Sequence, residues 1–188
     1  MDWKKDRAEI REFLFENPAT VKQVVERGLA NNTQRAGNHI NRLAGLGRIR
    51  PQGFVIGESG RQSQVWGWWP VQYTQIRHEV AVTQALINLK AERIARQNVD
   101  PKIRPDAVFW KNKWYLLEMD MATETKKFLK QRVEKIASTK KPTPVVWVTF
   151  GEKRLETIKE CCKPILDRCV FTTMANTHSL AHSLGQSQ

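Results

Sequence analysis

The sequence predicts a mixed fold of helices and strands (α/β, of the α+β type) in two domains, and three observations predict it. Residues 3–44 hold three stretches with apolar residues at helical spacing. Two β-rich runs follow, and from residue 74 the order becomes helix, β-hairpin, helix, buried strand, helix and strand. A chain of 188 residues can build one good core or two small ones. We expect one domain over residues 1–70, a second over 71–176 and a frayed tail over 177–188.

The first three helices are predicted by their apolar residues and by the residues that bound them. Residues 3–16 form the first helix, which ends at Asn17 because Pro18 disfavours helical backbone in the residue before it. Thr20 can cap the second helix through its side-chain oxygen. The third, "TQRAGNHINRLAGLGRI", follows "ANN", and its residues expected to face inward are Ala36, Ile40, Leu43 and Ala44.

Two β-rich runs come after the third helix, "RIRPQGFVIGE" and "SQVWGWWP", and they flank the turn "SGRQ". A tight polar turn between the second and third helices, followed by such a hairpin, resembles the winged helix-turn-helix family over residues 1–70. The resemblance implies binding of double-stranded DNA through the third helix and the hairpin, which would be the wing.

The residues expected to face outward from the third helix and the hairpin are of types that read base edges and bind phosphates. From residue 31 to residue 61 there are five Arg and one acid, which favours one basic, DNA-facing side. The predicted DNA-binding residues are Gln34, Arg35, Asn38, His39, Asn41, Arg42, Arg48, Arg50 and Arg61. Asn38 and Arg42, one helical turn apart, are expected to contact bases, and Arg50 and Arg61 to contact phosphate. A solvated helix, or a winged helix that binds only protein, stays open as an alternative.

The charge balance bears on the partner rather than on the fold. Lys and Arg number 31 against 19 Asp and Glu, which gives a net charge of +12 and a pI near 9.9. Such an excess favours nucleic acid or another acidic surface as the partner, although a basic surface without a ligand is the alternative. No apolar run approaches the roughly 18 residues of a membrane span, and the charged start "MDWKKDRAEIREFLF" lacks the pattern of a signal peptide. We therefore expect a cytoplasmic protein without a membrane partner.

The second domain is predicted to open with a long helix from Thr74 to about Gln97. The segment "RPDAVFWKNKWYLLEMDMATE" then indicates two strands joined by a tight turn at residues 111–113, and Thr123 is expected to cap the helix after them. "TPVVWVTF" is an almost continuous apolar run, typical of a strand buried on both faces. A helix over residues 152–163 and a strand, "RCVFTTM", complete the predicted order.

Three carboxylates stand at the ends of the two predicted strands. Asp106 lies near the start of the first strand, and alternation places Glu118 and Asp120 on one face at the end of the second. An acid beside an apolar sheet costs free energy unless it binds something. These acids are therefore candidate functional residues.

The strings "RPDAVF" and "WYLLEMD" match the Pro-Asp, spacer and acid-x-residue pattern of paired strands, so residues 74–174 resemble the PD-(D/E)XK nuclease-like core of order αββαβ. In that family two acids hold a divalent metal ion and a lysine positions or activates water. Here Asp120 stands at the lysine position. One residue of the following helix could take the place of that lysine, and the candidates are Lys126, Lys127, Lys130 and Gln131. The resemblance implies a site for Mg²⁺ or Mn²⁺, with these metal ligands: Glu79, Asp106, Glu118 and Asp120. If the site is active, the catalytic residues it implies are Asp106, Glu118, Asp120 and Lys126.

A further resemblance is carried by "RHEVAVTQALINL", "RPDAVF", "YLLEMDMATET" and "FLKQRVEKI", which look like the replication-relaxation family. Its members are winged-helix proteins of mobile elements with a nuclease-like domain that lacks the usual lysine. The resemblance implies a DNA-binding protein of a phage or plasmid, acting in replication, relaxation or transcriptional control in the cytoplasm of a bacterial or phage-infected cell. A homodimer on an inverted repeat is a common arrangement for such folds, and no small-molecule cofactor is indicated.

Three interpretations of the acids stay open. They could form the centre of a metal-dependent endonuclease targeted by the winged helix, or hold a metal without cleavage. They could instead pair with basic neighbours such as Arg77, Arg104 or Lys126. Because Asp120 replaces the lysine, we favour a DNA-binding protein over a nuclease.

Overall fold

The structure, a computed structural model, describes residues 3–56, 60–96, 103–139 and 142–186. The chain forms two compact units, Met1–Ile87 and Asn88–Gln188, and each contains helices and a β-sheet. The predicted mixture of helices and strands is therefore confirmed. The units divide after Ile87, whereas the sequence placed a domain boundary after residue 70. Residues 57–59, which end the first predicted β-rich run and begin the predicted turn "SGRQ", lie outside the described residues.

The first unit combines helices with a three-stranded antiparallel sheet of order β1-β3-β2. Its helices are α1 (Trp3–Glu16), α2 (Val21–Glu26), α3 (Thr33–Gly45) and α4 (Ile76–Asn88, whose last residue begins the second unit). Its strands are β1 (Ala19–Thr20), β2 (Arg50–Ile56) and β3 (Gln62–Gly67). The helices and the β-rich runs predicted for residues 3–67 thus form.

Capping side chains fix where α2 and α3 begin. The Thr20 hydroxyl accepts a hydrogen bond from the Gln23 backbone N–H at 3.3 Å, and the Gln23 side chain accepts one from the Thr20 N–H at 3.0 Å. This reciprocal pair is a capping box. Asn32 caps α3 by accepting from the Arg35 N–H at 2.8 Å. The core behind these helices includes Ile10, Leu14, Val24, Ala36, Ile40 and Leu43.

A glycine on β2 lets the hairpin approach α4 closely. Gly53 has φ +148, and the register between β2 and β3 shifts between Pro51 and Gly53. A Cβ at this position would lie 2.4 Å from Cδ1 of the buried Ile76. A side chain at residue 53 would therefore displace Ile76 and the hairpin that rests on it.

The helix predicted from Thr74 to about Gln97 is shorter in the structure, because α4 ends at Asn88. Lys90 adopts left-handed backbone, with φ 52, and β4 (Arg93–Ala95) then pairs antiparallel with β5. The residues of "KAERIAR" suit a helix individually. Pairing with the edge of β5 satisfies their backbone groups instead, and this long-range contact overrides the local preference.

The second unit is built on a five-stranded sheet of order β4-β5-β6-β7-β8. Its strands after β4 are β5 (Ala107–Lys111), β6 (Lys113–Asp120), β7 (Val145–Thr149) and β8 (Cys169–Thr173). The predicted β5–β6 hairpin forms, and β7 is buried throughout and runs parallel to β6 and β8. The parallel connections carry α5 (Lys126–Ala137) and α6 (Glu152–Cys161). This order brings the end of β6 beside the starts of both helices.

Two local predictions in this unit are corrected. The cap of α5 is Thr125, whose hydroxyl accepts from the Phe128 N–H at 3.5 Å, and not Thr123. The segment expected to fray forms α7 (Thr177–Gln186), with Ala181 and Leu184 buried. Its apolar residues lie at helical spacing despite the polar composition around them, so their burial stabilises the helix.

Candidate functional site

The outer face of α3 carries a row of exposed polar side chains. Ala36, Ile40 and Leu43 are buried and hold the helix against the core of the first unit. The exposed residues on the remaining face are Gln34, Asn38, Asn41 and Arg42, as the sequence predicted. Amide and guanidinium groups repeated at helical spacing present several hydrogen-bond donors and acceptors to one ligand.

Arg35 and His39, also predicted to face outward, are placed differently. Arg35 donates from Nη2 to Oδ2 of Asp6 on α1, and both side chains are partly buried. His39 is only 8% exposed, so its predicted outward orientation is corrected. Burial lowers the pKa of His39, with Arg7 and Arg35 acting in the same direction. His39 lies three residues after Ala36, beside the apolar stripe, and that spacing could have indicated its burial.

The β2–β3 hairpin adds basic residues to the first unit. Arg48, just before β2, is exposed, as are Arg50 at the start of β2 and Arg61 just before β3. Arg50 donates from Nε of its guanidinium group to the Trp68 carbonyl at 3.2 Å, just after β3. Phe54 and Ile56 on β2 are also exposed, at 52% and 66%. The hairpin therefore exposes both basic and apolar side chains.

In the second unit, Asp106 and Glu118 are bound by the protein itself. Asp106 stands just before β5 and accepts a hydrogen bond at Oδ2 from the Met119 N–H of β6 at 2.7 Å. Glu118 is fully buried, and its Oε2 accepts from Nη1 of Arg132 on α5 at 2.8 Å. The other oxygen, Oε1, is buried without a hydrogen-bond partner.

Asp120 is held by a second arginine. Arg154 on α6 donates from Nε to Oδ1 of Asp120 at 3.0 Å and from Nη2 to Oδ2 at 2.7 Å, a bidentate pair. Asp120 Oδ1 also accepts from the Ala122 N–H. Glu124 connects the two arginines, because its carboxylate accepts from Arg132 Nη2 and its carbonyl from Arg154 Nη2. We call these six residues the arginine–carboxylate network: Asp106, Glu118, Asp120, Glu124, Arg132 and Arg154.

The electrostatics of the network follow from burial and from these pairs. Burial raises the pKa of Glu118 well above its usual 4.5, and repulsion from Asp106 adds to the shift, while Arg132 opposes it. Burial disfavours the charge of Arg132, but the carboxylates of Glu118, Asp106 and Glu124 together outweigh it and raise its pKa. The hydrogen bond to Asp120 raises the pKa of Arg154. Both arginines therefore stay cationic.

As arranged, these acids do not fit a divalent cation. Arginine occupies both oxygens of Asp120 and one oxygen of Glu118, and a metal ion would have to displace those guanidinium groups. In the part of the chain that the structure describes, no three residues among His, Cys, Asp and Glu form a group that could hold a metal ion. The Mg²⁺ or Mn²⁺ site inferred from the resemblance stays a prediction.

The remaining predicted site residues are not members of the network. Glu79 is on α4 of the first unit, whereas the other three acids belong to the second. Lys126 forms an ion pair with Glu160 at the exposed surface between α5 and α6. Asp106, Glu118 and Asp120 do lie along one end of the β5–β6 hairpin, as the sequence indicated.

Neither of the two arginines that bind these acids was predicted from the sequence. Arg132 lies three residues after Leu129 and four before Ile136, both buried, and this spacing placed it on the inward side of α5. Arg154 reaches Asp120 across 34 positions of sequence, which no local pattern encodes. The basic neighbours suggested from the sequence, Arg77, Arg104 and Lys126, are not the partners that the structure shows.

Comparisons of the chain with protein-family models, with curated proteins and with solved structures give no significant match. Within the described ranges, no helix combines the length and the apolar character needed to cross a membrane. The two features that bear most directly on function are therefore the exposed polar face of α3 and the arginine–carboxylate network.

Proposed function

We propose that the chain binds double-stranded DNA through its first unit, a winged helix-turn-helix in which α2 and α3 form the helix-turn-helix and β2 and β3 the wing. The order of helices and strands and the β1-β3-β2 sheet support this assignment. The observation that carries the proposal is the exposed polar face of α3, backed by a buried apolar stripe. That combination leaves a rigid helix with base-reading groups on its outer side.

Each group of exposed residues has a role in this proposal. Asn38 and Arg42, one turn apart, contact base edges in the major groove, with Gln34 and Asn41 beside them. Arg48, Arg50 and Arg61 contact phosphates along the strand that the hairpin follows. Arg35 and His39 support α3 from behind, because one is bound to Asp6 and the other is buried.

The second unit, in this proposal, does not cleave DNA. Metal-assisted hydrolysis requires carboxylate oxygens that a cation can reach. Both oxygens of Asp120 and Oε2 of Glu118 are bound by Arg154 and Arg132, and Oε1 of Glu118 is buried. The network instead fastens α5 and α6 to the end of β6. We also propose that the protein acts in replication, relaxation or transcriptional control of a mobile element in the cytoplasm. It would bind an inverted repeat as a homodimer.

The proposal can be tested by fluorescence anisotropy with the full chain. A preferred duplex is first selected from a random pool, and affinity for it is compared with affinity for random duplex. Asn38→Ala should weaken binding to the selected duplex by about 1–3 kcal/mol and leave random duplex nearly unchanged. Arg61→Ala should weaken both alike and lower the salt slope by about one.

Arg11→Ala provides the matched control, because Arg11 is an exposed arginine that belongs to α1 and to neither α3 nor the hairpin. It should change neither affinity appreciably. Equal losses for Arg11→Ala and Arg61→Ala would show that binding follows net charge rather than this face. Equal losses on selected and random duplex for Asn38→Ala would remove α3 from sequence recognition.

A further inference from the structure

A cavity in the second unit lies between the segment before β5 and the first turns of α5. Its volume is about 440 Å³, and it is lined chiefly by Arg104, Thr123, Phe128, Gln131, Arg132 and Lys135. A volume in this range suits a small organic ligand or a single nucleotide rather than a folded partner. Glu124 also lines the cavity and is its acid.

The charge around the cavity favours an anion. Three cations, Arg104, Arg132 and Lys135, face one carboxylate there. Arg132 is committed to Glu118 and Glu124, whereas neither Arg104 nor Lys135 forms an ion pair within the described ranges of the chain. Two cations at one opening that form no ion pair among the described residues are placed to bind phosphate.

The charge of the whole unit points the same way. Residues 88–188 contain 19 Lys and Arg against 11 Asp and Glu, a net charge of +8. Residues 1–87 contain 12 against 8, a net charge of +4, although they include the proposed winged helix. Most of the excess positive charge therefore lies in the second unit, which makes no contact with duplex DNA in the proposed function.

Phe128 adds an aromatic face to this basic opening. Its side chain is 59% exposed on α5, and apolar burial does not explain its position. The exposed amide of Gln131, one turn along the same helix, can donate and accept hydrogen bonds with a base edge. An aromatic ring beside cations and amides is the combination that binds unpaired bases and their phosphates.

The backbone beside the cavity is also strained. Arg104 has φ 42 and Ala122, next to Thr123, has φ 60, and neither is glycine. Non-glycine residues with left-handed backbone are uncommon and cluster at ligand-binding sites. Arg104 is thus a strained residue in the lining of the cavity itself.

We propose that this cavity binds one nucleotide of an unpaired DNA strand, with the base against Phe128 and the phosphate between Arg104 and Lys135. A base inside a duplex is stacked and paired, so it could not enter a cavity of this size without leaving the helix. The site therefore selects single strands, in contrast to the duplex recognised by α3. This single-strand site goes beyond the proposed function, and it can be tested independently of duplex binding by α3.

The test measures binding of a fluorescein-labelled oligothymidine strand to the full chain by anisotropy. Phe128→Ala should raise the Kd about tenfold, because it removes one base-stacking surface. Arg104→Ala and Lys135→Ala should each raise it about fivefold and flatten the salt dependence. The matched controls are Phe150→Ala, an exposed aromatic of the same unit outside the cavity, and Lys130→Ala, an exposed lysine of α5. Both controls should bind like the wild type.

The outcomes separate this proposal from duplex recognition. Asn38→Ala should leave oligothymidine binding unchanged, and Phe128→Ala should leave selected-duplex binding unchanged. Equal losses in Phe128→Ala and Phe150→Ala, or no binding of oligothymidine to the wild type, would overturn the proposal. Thymidine monophosphate that binds as tightly as the strand would overturn it too, because the cavity would then be a site for free nucleotide.

Discussion

The two units place their polar side chains in opposite ways. On α3 of the first unit, Asn38 and Arg42 are exposed on the outer face of a helix that is anchored from behind. At the end of β6 in the second unit, Glu118 and Asp120 are buried and bound by arginines from α5 and α6. Exposed groups can bind a ligand at little desolvation cost, whereas a buried ion pair must first be broken. The position of the counter-charge therefore says more about function than the presence of an acid in a motif.

The largest effect is expected from removing Arg132. Arg132→Ala leaves the fully buried Glu118 without its cation, and it also releases Glu124. Leaving a buried polar group without its hydrogen-bond partner costs about 1–3 kcal/mol, and more where the partner is charged, so the value should lie near 3 kcal/mol. Urea unfolding followed by circular dichroism measures it.

Lys130→Ala on the same helix is the control and should change the unfolding free energy by less than about 0.5 kcal/mol, since Lys130 is exposed. If Arg132→Ala costs no more than Lys130→Ala, the network does not stabilise the second unit. The contrast between exposed polar side chains in the first unit and stabilising buried ion pairs in the second would then be lost.

A second prediction compares two arginines of α3. Arg42→Ala should weaken duplex binding by about 1–3 kcal/mol, because Arg42 lies on the exposed face. Arg35→Ala should weaken binding much less but lower stability by about 1 kcal/mol, because Arg35 is bound to Asp6. Anisotropy and urea unfolding on both variants measure the two quantities. The opposite ranking would mean that Arg35 releases Asp6 to contact DNA.

Local sequence signals predicted much of the fold. The cap at Thr20, the apolar stripe of α3 and the continuous apolar run of β7 are short-range patterns, and each formed as expected. The errors arose where contacts with residues distant in sequence determine the secondary structure. Pairing of β4 with β5 ended α4 early, and burial of Ala181 and Leu184 ordered α7.

In the candidate site, too, the local features could be predicted from the sequence and the long-range contacts could not. The approach of Asp106 to the end of β6 followed from the hairpin register, which is a local property. The pairing of Asp120 with Arg154 depends on how α6 packs against the sheet, and no spacing in the sequence contains that information. The strand pattern therefore indicated that Asp106, Glu118 and Asp120 share one end of the hairpin, but it could not identify what they bind.

The third prediction concerns how the stability of the network depends on pH. Because burial raises the pKa of Glu118 above its usual 4.5, the folded chain retains this proton at pH values where the unfolded chain has lost it. The stability that Glu118 contributes is thus present below pH 4.5 and is lost as pH rises through the raised pKa. Glu118→Gln lacks this titration, so its stability relative to the wild type should rise with pH.

Urea midpoints of wild type and Glu118→Gln over a pH series from acid to mildly alkaline measure this trend. Glu134→Gln, at an exposed position of α5, is the control and should run parallel to the wild type. A Glu118→Gln variant that loses stability relative to the wild type as pH rises would show that Arg132 dominates over burial, with the carboxylate ionised in the fold.

The smallest effect is expected from metal ions. A cation that binds the folded chain raises the melting temperature by mass action, but at the network it would have to separate Arg154 from both oxygens of Asp120. Millimolar Mg²⁺ or Mn²⁺ should therefore shift the melting temperature by less than about one degree, and supercoiled plasmid should stay intact with Mn²⁺ present. A rise of several degrees that disappears in Asp106→Asn, with Mn²⁺-dependent nicking, would show that the arginines yield to a metal. The second unit would then contain a metal-dependent catalytic centre. Its acids would be bound by arginine only in the absence of the metal ion, and the difference between the two units would hold only then.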